Sequence, residues 1–182
     1  MGLKSEILEA ILELGYEKPT PIQEIAIPKV LESKQDLIAF AQTGTGKTAA
    51  FSLPILQLAD ENSKNTQAII LSPTRELAVQ IGNNIKEFAK HMPNIKVVTV
   101  YGGANIEEQI RGLKRGAQIV VGTPGRTVDL INRRALKLGK AHEKGNYLQY
   151  KKHKKEDGQL PDSISMVMDL WNNNLGAEIY LT

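Results

Sequence analysis

Four short apolar runs, D-L-I-A-F-A (36–41), Q-A-I-I-L-S (67–72), I-K-V-V-T-V (95–100) and A-Q-I-V-V-G (117–122), recur between longer amphipathic stretches at roughly 47–59, 75–91, 105–115 and 124–134. None of the runs alternates apolar with polar residues, so each reads as a strand buried on both faces. Such a strand needs helices above and below it. Strand followed by helix, four times over, is the signature of βαβ units. The expected fold is therefore α/β, a parallel sheet with helices on both faces. Two helical segments, 4–14 and 21–32, precede it. Gly15 stands where a left-handed helix stop is wanted, and Pro19 and Pro21 set the link between the two.

Bulk properties narrow the class. A chain of 182 residues suits one well-buried domain, and 41% apolar with 24% charged residues is a soluble globular composition. No apolar stretch approaches the ~20 residues of a membrane helix. The start, MGLKSEILEA, lacks the apolar core of an export signal, so a cytoplasmic protein is expected. Cysteine is absent, which excludes disulfides and thiolate metal sites. His91, His142 and His153 show no ligand spacing, and no metal–imidazole site is expected. The net charge of +3 is uneven, because residues 133–155 hold nine of the 23 basic residues and one acid, Glu143. The rest of the chain has 14 basic and 19 acidic residues, so the high isoelectric point is no evidence that the whole domain binds nucleic acid.

The first strand runs into A-Q-T-G-T-G-K-T (41–48), which opens a helix beginning A-A-F-S-L-P. That is the setting a phosphate-binding loop requires. Gly44 and Gly46 let the backbone curl so that successive N–H groups, with the positive end of the helix dipole, face a phosphate. Lys47 is placed to bridge β- and γ-phosphate oxygens and Thr48 to ligate Mg²⁺, which makes them the two candidate catalytic residues. Gln42, Thr43, Thr45 and Ala49 complete the nucleotide set around the loop. The alternative is a glycine-rich strand-to-helix turn that happens to carry a lysine.

Four shorter stretches join this loop in a recognisable order. G-Y-E-K-P-T-P-I-Q (15–23) precedes it, and P-T-R-E-L-A (73–78), Gly102-Gly103 and T-P-G-R (123–126) follow it. Together they resemble the first RecA-like domain of a DEAD-box RNA helicase of bacterial type, over residues 1 to about 139. The resemblance implies a RecA-like P-loop NTPase domain that binds ATP with Mg²⁺ and grips RNA by its backbone without reading sequence. It implies that Gln23 reads adenine, and an amide does match adenine's N6 and N7 edge. Tyr16 would stack on the base, or else serve as a half-buried core tyrosine; Lys18 belongs to the same stretch. The RNA contacts fall on Pro73, Thr74, Arg75, Gly102, Gly103, Thr123, Pro124, Gly125 and Arg126. These lie at strand-to-helix turns, the edge of an open α/β sheet where ligands bind. The alternative for Arg75 and Arg126 is an intra-domain salt bridge, Arg75 with Glu76 for instance.

The family pattern stops near Gly139. The stretch 140–162 is basic and without periodicity, and it reads as a loop or insert; Tyr147 and Tyr150 among its lysines offer either RNA stacking or a solvated loop. Residues 163–182 form an atypical tail with one possible additional strand, S-I-S-M-V-M-D, ending in Asp169. If that strand enters the sheet beside 37–41 with Asp169 facing Thr48, Asp169 is the Mg²⁺-positioning carboxylate; otherwise it is merely a polar strand end. Leu170 and Trp171 follow it where the family has the water-polarising glutamate and its neighbour, and neither D-E-A-D nor S-A-T occurs in the chain. The resemblance also implies a second RecA-like domain, supplying arginine fingers and half of the RNA clamp, for which the chain has no motif. The expectation is an ATP- and RNA-binding domain with little or no unwinding activity alone. The alternative is a non-enzymatic nucleotide- or RNA-binding fragment, or a chimeric product.

Overall fold

The computed structural model describes residues 2–33, 37–137, 166–172 and 175–181, the last two segments as strand backbone. The basic stretch 140–162 lies outside the described residues. Six helices, α1 (Ser5–Glu13), α2 (Pro21–Glu32), α3 (Lys47–Leu58), α4 (Arg75–Phe88), α5 (Ile106–Lys114) and α6 (Pro124–Asn132), fall within three residues of the expected segments. So do the strands β1 (Leu37–Ala39), β2 (Ala68–Leu71), β3 (Val97–Val100) and β4 (Ile119–Gly122). Two further strands, β5 (Met166–Asn172) and β6 (Leu175–Leu181), come from the tail.

The lack of polar alternation in the apolar runs has a direct structural cause. In β2 and β4, Ala68, Ile70, Ile119 and Val121 face a large core built with α1 to α4. Their neighbours Ile69 and Val120 face a second core with Val100, Leu113 of α5 and Leu130 of α6. Each strand is thus sandwiched, as helices on both faces require. Strands β2, β4 and β3 are parallel, with Ala68 and Val97 both opposite Ile119.

α1 buries Ile7, Ala10 and Ile11, the three-and-four spacing of one helix face. It stops at Gly15, whose φ of +82° is the left-handed conformation anticipated there. Pro21 opens α2 in the first turn, where its missing N–H costs nothing.

The sheet order is β1-β6-β5-β2-β4-β3, and here the tail departs from expectation. A strand does form at 166–172, but it runs antiparallel to β2 and pairs with β2 and β6 instead of β1. The unanticipated β6 takes the place beside β1, parallel to it. Only two residues separate β5 from β6, a connection too short for anything except an antiparallel pair. With β6 docked parallel to β1, β5 must run against the sheet.

The register then places Asp169 opposite Ile69 and Glu178, one residue before the level of Leu37. Ala41, where the phosphate loop begins, is on the order of 15 Å further along the strand direction. This register does not bring Asp169 to Thr48, and of the two readings of Asp169 it accords with the polar strand end.

Candidate nucleotide and RNA sites

The phosphate loop leaves the carboxyl end of β1 and enters α3 through Gly46. Gly44 and Gly46 have φ of +81° and +83°, which only glycine adopts without strain. Among the described residues, the N–H groups of Gly44, Thr45, Gly46, Lys47 and Thr48 donate to no protein acceptor. Five open donors at a helix N-terminus are what an anionic phosphate chain needs. The Thr45 hydroxyl donates to the Gln42 carbonyl at 2.8 Å and stiffens the turn. Lys47 folds across the loop and its Nζ donates to the Ala41 carbonyl. Gln42, Thr43 and Gly44 are exposed and Thr48 is half-buried, whereas Ala49 is buried in the core and has only its backbone to offer.

Gln23 reaches the loop, though not as a free adenine reader. It is 3% exposed; its Oε1 accepts the Thr20 N–H at 3.0 Å and its Nε2 donates to the Gly46 carbonyl at 3.2 Å. The Thr20 hydroxyl donates to the Thr45 carbonyl at 2.9 Å. Residues 20–23 thus brace the loop from outside. One N–H and one lone pair remain on the Gln23 amide, enough for a bidentate contact with adenine. The ring of Tyr16 meets Phe88 edge-on, at 6.0 Å and 87°, while 39% of the residue stays exposed, a placement compatible with both expected roles. Lys18 is exposed.

The second site is a groove of about 600 Å³ at the carboxyl ends of β2, β3 and β4. It gathers Pro73, Thr74, Arg75, Gly102, Thr123, Gly125 and Arg126, so three turns distant in sequence share one surface; Gly103 and Pro124 adjoin it. Thr74 caps α4, its hydroxyl accepting the Leu77 N–H at 3.2 Å. Arg75 lies over Gly103, which has φ of +86°, and a Cβ there would stand 2.5 Å from Arg75 Nη1. Arg126 Nη1 donates to Gln109 Oε1 at 2.9 Å and to the Ala104 carbonyl at 3.3 Å. Neither arginine joins an ion pair among the described residues, so the salt-bridge alternative, including Arg75 with Glu76, is not what holds them.

Sequence reasoning missed two groove residues, Glu76 and Asp129. Asp129 is paired with Arg133 at 2.8 Å, one helical turn on. Glu76 lies on the first turn of α4, directly after Arg75, and Asp129 one turn further into α6, three residues beyond Arg126; that nearness to motif residues was the available signal. The fold also assembles Glu9, Glu13 and His91, with ligand atoms within 4.8 Å. Lys90 Nζ bonds one Glu13 oxygen there at 2.5 Å and His91 Nε2 lies 3.2 Å from the other, so the Glu13 carboxylate is already held by protein partners. The Lys90 ammonium, first as a hydrogen-bond donor, holds the Glu13 carboxyl below its ordinary value, and Glu13 correspondingly raises Lys90.

A glycine-bearing phosphate loop on β1, braced by residues 20–23, and a groove carrying Arg75 and Arg126 on the neighbouring turns define a RecA-like P-loop domain. The DEAD/DEAH box helicase family model matches residues 20–146, and the chain belongs to that family. It is 53% identical over 140 residues to ATP-dependent RNA helicase DeaD of Escherichia coli (strain K12), covering 77% of this chain and 22% of that protein. ATP-dependent RNA helicase CshA of Limosilactobacillus reuteri is 54% identical over 138 residues, covering 76% and 27% respectively. The crystal structure of a DEAD box protein from the hyperthermophile Methanococcus jannaschii matches with a TM-score of 0.71 at 47% identity, covering 76% of this chain and 37% of that one. The chain spans about a quarter of the length of the relatives it matches in sequence.

Proposed function

We propose that this chain is the ATP- and RNA-binding first domain of a DEAD-box RNA helicase. The observation that carries the reading is the fan of open N–H groups from Gly44 to Thr48 at the start of α3. It suits the β- and γ-phosphates of a nucleotide. Lys47 exchanges the Ala41 carbonyl for phosphate oxygens, a charge-assisted bond in place of a weaker one. Thr48 supplies the hydroxyl for Mg²⁺, which when bound neutralises phosphate charge. Gln23 presents its remaining N–H and lone pair to adenine, which favours ATP over GTP. In the groove, Arg75 and Arg126 hold RNA phosphates alongside the turns at 102–103 and 123–125, indifferent to sequence.

Turnover by this chain alone is slow in this reading. No D-E-A-D follows the groove motifs, Leu170 and Trp171 succeed Asp169, and β5 carries Asp169 away from the loop. A second RecA-like domain is the partner that would complete the cleft and permit unwinding. The antiparallel β5 favours, as second reading, a module that binds nucleotide without hydrolysing it. Cytoplasmic residence is part of the proposal; no helix among the described residues is long and apolar enough to cross a membrane.

Titration with a fluorescent adenine nucleotide and Mg²⁺ tests the site. Lys47→Ala removes a charge-assisted contact worth ~1.5–3 kcal/mol, so Kd should rise about 10- to 100-fold with the thermal midpoint unchanged. Equal affinities for mutant and wild type would reject the phosphate-loop assignment. RNA-stimulated phosphate release that disappears in Lys47→Ala would reject the binding-module reading instead.

A further inference from the structure

We propose that Gln109 is a positioning residue of the RNA groove, an inference that rests on reading the groove as an RNA site. Gln109 sits in α5, outside every motif that marks the groove, and is 7% exposed. Its Nε2 donates to the Tyr101 carbonyl at 3.1 Å, and its Oε1 accepts from Arg126 Nη1 at 2.9 Å. The same Nη1 donates to the Ala104 carbonyl at 3.3 Å. One buried amide therefore couples the turn after β3 to the helix after β4, and both turns line the groove.

The chemistry of the position calls for an amide. The Tyr101 carbonyl is only an acceptor and the Arg126 guanidinium only a donor, so the group between them must donate at one end and accept at the other. A glutamate would hold the arginine equally well but cancel its charge, and a lysine or leucine would leave it loose. Arg126 uses one nitrogen for both anchoring bonds, which leaves Nη2 and Nε for a ligand. A flexible arginine must otherwise be ordered when it binds, and holding it beforehand removes that cost from the binding step. Gln109 itself, buried beneath the turns, contributes order and no contact to RNA.

The test is fluorescence anisotropy of a labelled single-stranded oligouridylate on the full 182-residue chain, over a series of salt concentrations. It compares wild type, Gln109→Leu, Arg126→Ala, the double variant and Gln109→Glu. Gln109→Leu should raise Kd about three- to tenfold while the salt dependence stays at the wild-type slope, because no phosphate contact is lost. Arg126→Ala should raise Kd and reduce the slope by about 0.7, one contact's share on a single strand. The double variant should bind no worse than Arg126→Ala, since Gln109 acts through that arginine. Gln109→Glu, which keeps the fold's anchoring bond to Arg126, should show the reduced slope of Arg126→Ala and gives an independent reading should Gln109→Leu fold poorly. Additive losses in the double variant, or a Gln109→Leu that binds like wild type beside a weakened Arg126→Ala, would overturn the positioning role. An Arg126→Ala that binds RNA normally would instead remove the RNA reading of the groove.

Discussion

Gly44 and Gly46 have nearly the same left-handed backbone, with φ of +81° and +83°, yet the fold treats them differently. A Cβ at Gly44 would meet nothing within 4 Å, whereas one at Gly46 would run into the Nε2 of Gln23. Substituting alanine at either position forces a side chain into the left-handed region, at a cost of ~1–2 kcal/mol. A stiffer unfolded chain returns ~0.4–1 kcal/mol of that. Gly44→Ala should therefore destabilise by about 1 kcal/mol. Gly46→Ala adds the displacement of an amide that is 3% exposed and makes two hydrogen bonds, to the Thr20 N–H and the Gly46 carbonyl. At ~1 kcal/mol each, the total becomes about 3 kcal/mol. For a domain of this size the thermal midpoint should fall about 3 °C for Gly44→Ala and about 9 °C for Gly46→Ala. The assay is urea and thermal unfolding without nucleotide, so that phosphate binding plays no part. A Gln23→Ala background removes the obstructing amide and leaves only the Thr20 hydroxyl, 3.3 Å from the added Cβ, so there the cost of Gly46→Ala should shrink toward that of Gly44→Ala, a coupling of about 2 kcal/mol. Equal losses for the two glycines in the wild-type chain would refute the bracing of the loop by Gln23. So would a Gly46→Ala penalty that survives intact in Gln23→Ala.

Two further expectations concern stability. Ile70 is fully buried in the middle of β2, so Ile70→Ala should cost about 3–5 kcal/mol in urea unfolding, while Ile25→Ala at 58% exposure should stay within about 0.5 kcal/mol; similar values for the pair would contradict the assigned core. The Glu13–Lys90 pair predicts a pH dependence of known sign. Glu13 is lowered from 4.5, so its contribution is present above that value and is lost as pH falls through the lowered one; Lys90 is raised from 10.5, so its share is lost only as pH rises beyond that. Glu13→Gln should make the thermal midpoint fall less steeply with acid below about pH 5, by a small margin because the pair is exposed. A variant with an unchanged acid limb would show that the pair contributes nothing.

Most of the parallel sheet, all six helices and the phosphate loop were legible in the sequence, because each rests on local information. Strands buried on both faces must be continuously apolar, helices announce themselves through proline, glycine and periodic apolar residues, and a phosphate loop needs its glycines at fixed spacing beside a lysine. The groove was legible as short motifs at 73–75, 102–103 and 123–126, assigned to the ligand-binding edge of the sheet by their strand-to-helix turns. That they form one surface follows from β2, β4 and β3 lying side by side, an order of strands that no local pattern encodes.

What escaped the sequence is what depends on partners remote in the chain. That Gln23 also braces the loop through Thr20 and Gly46, and that Tyr16 packs edge-on against Phe88, is visible only once the fold brings those partners together. Gln109 carries no motif at all and acquires its place only from Tyr101 and Arg126. The tail makes the same point for direction. Residues 163–169 were apolar enough to be a strand, and they are one in part, but strand propensity has no sign. Only the short link to β6, and the docking of β6 beside β1, turned β5 antiparallel and took Asp169 from the phosphate loop. The sequence by itself determined which segments enter the sheet and which loop can hold phosphate. Tertiary pairing decided which way the last strands run and what each polar side chain near the loop and the groove is free to do.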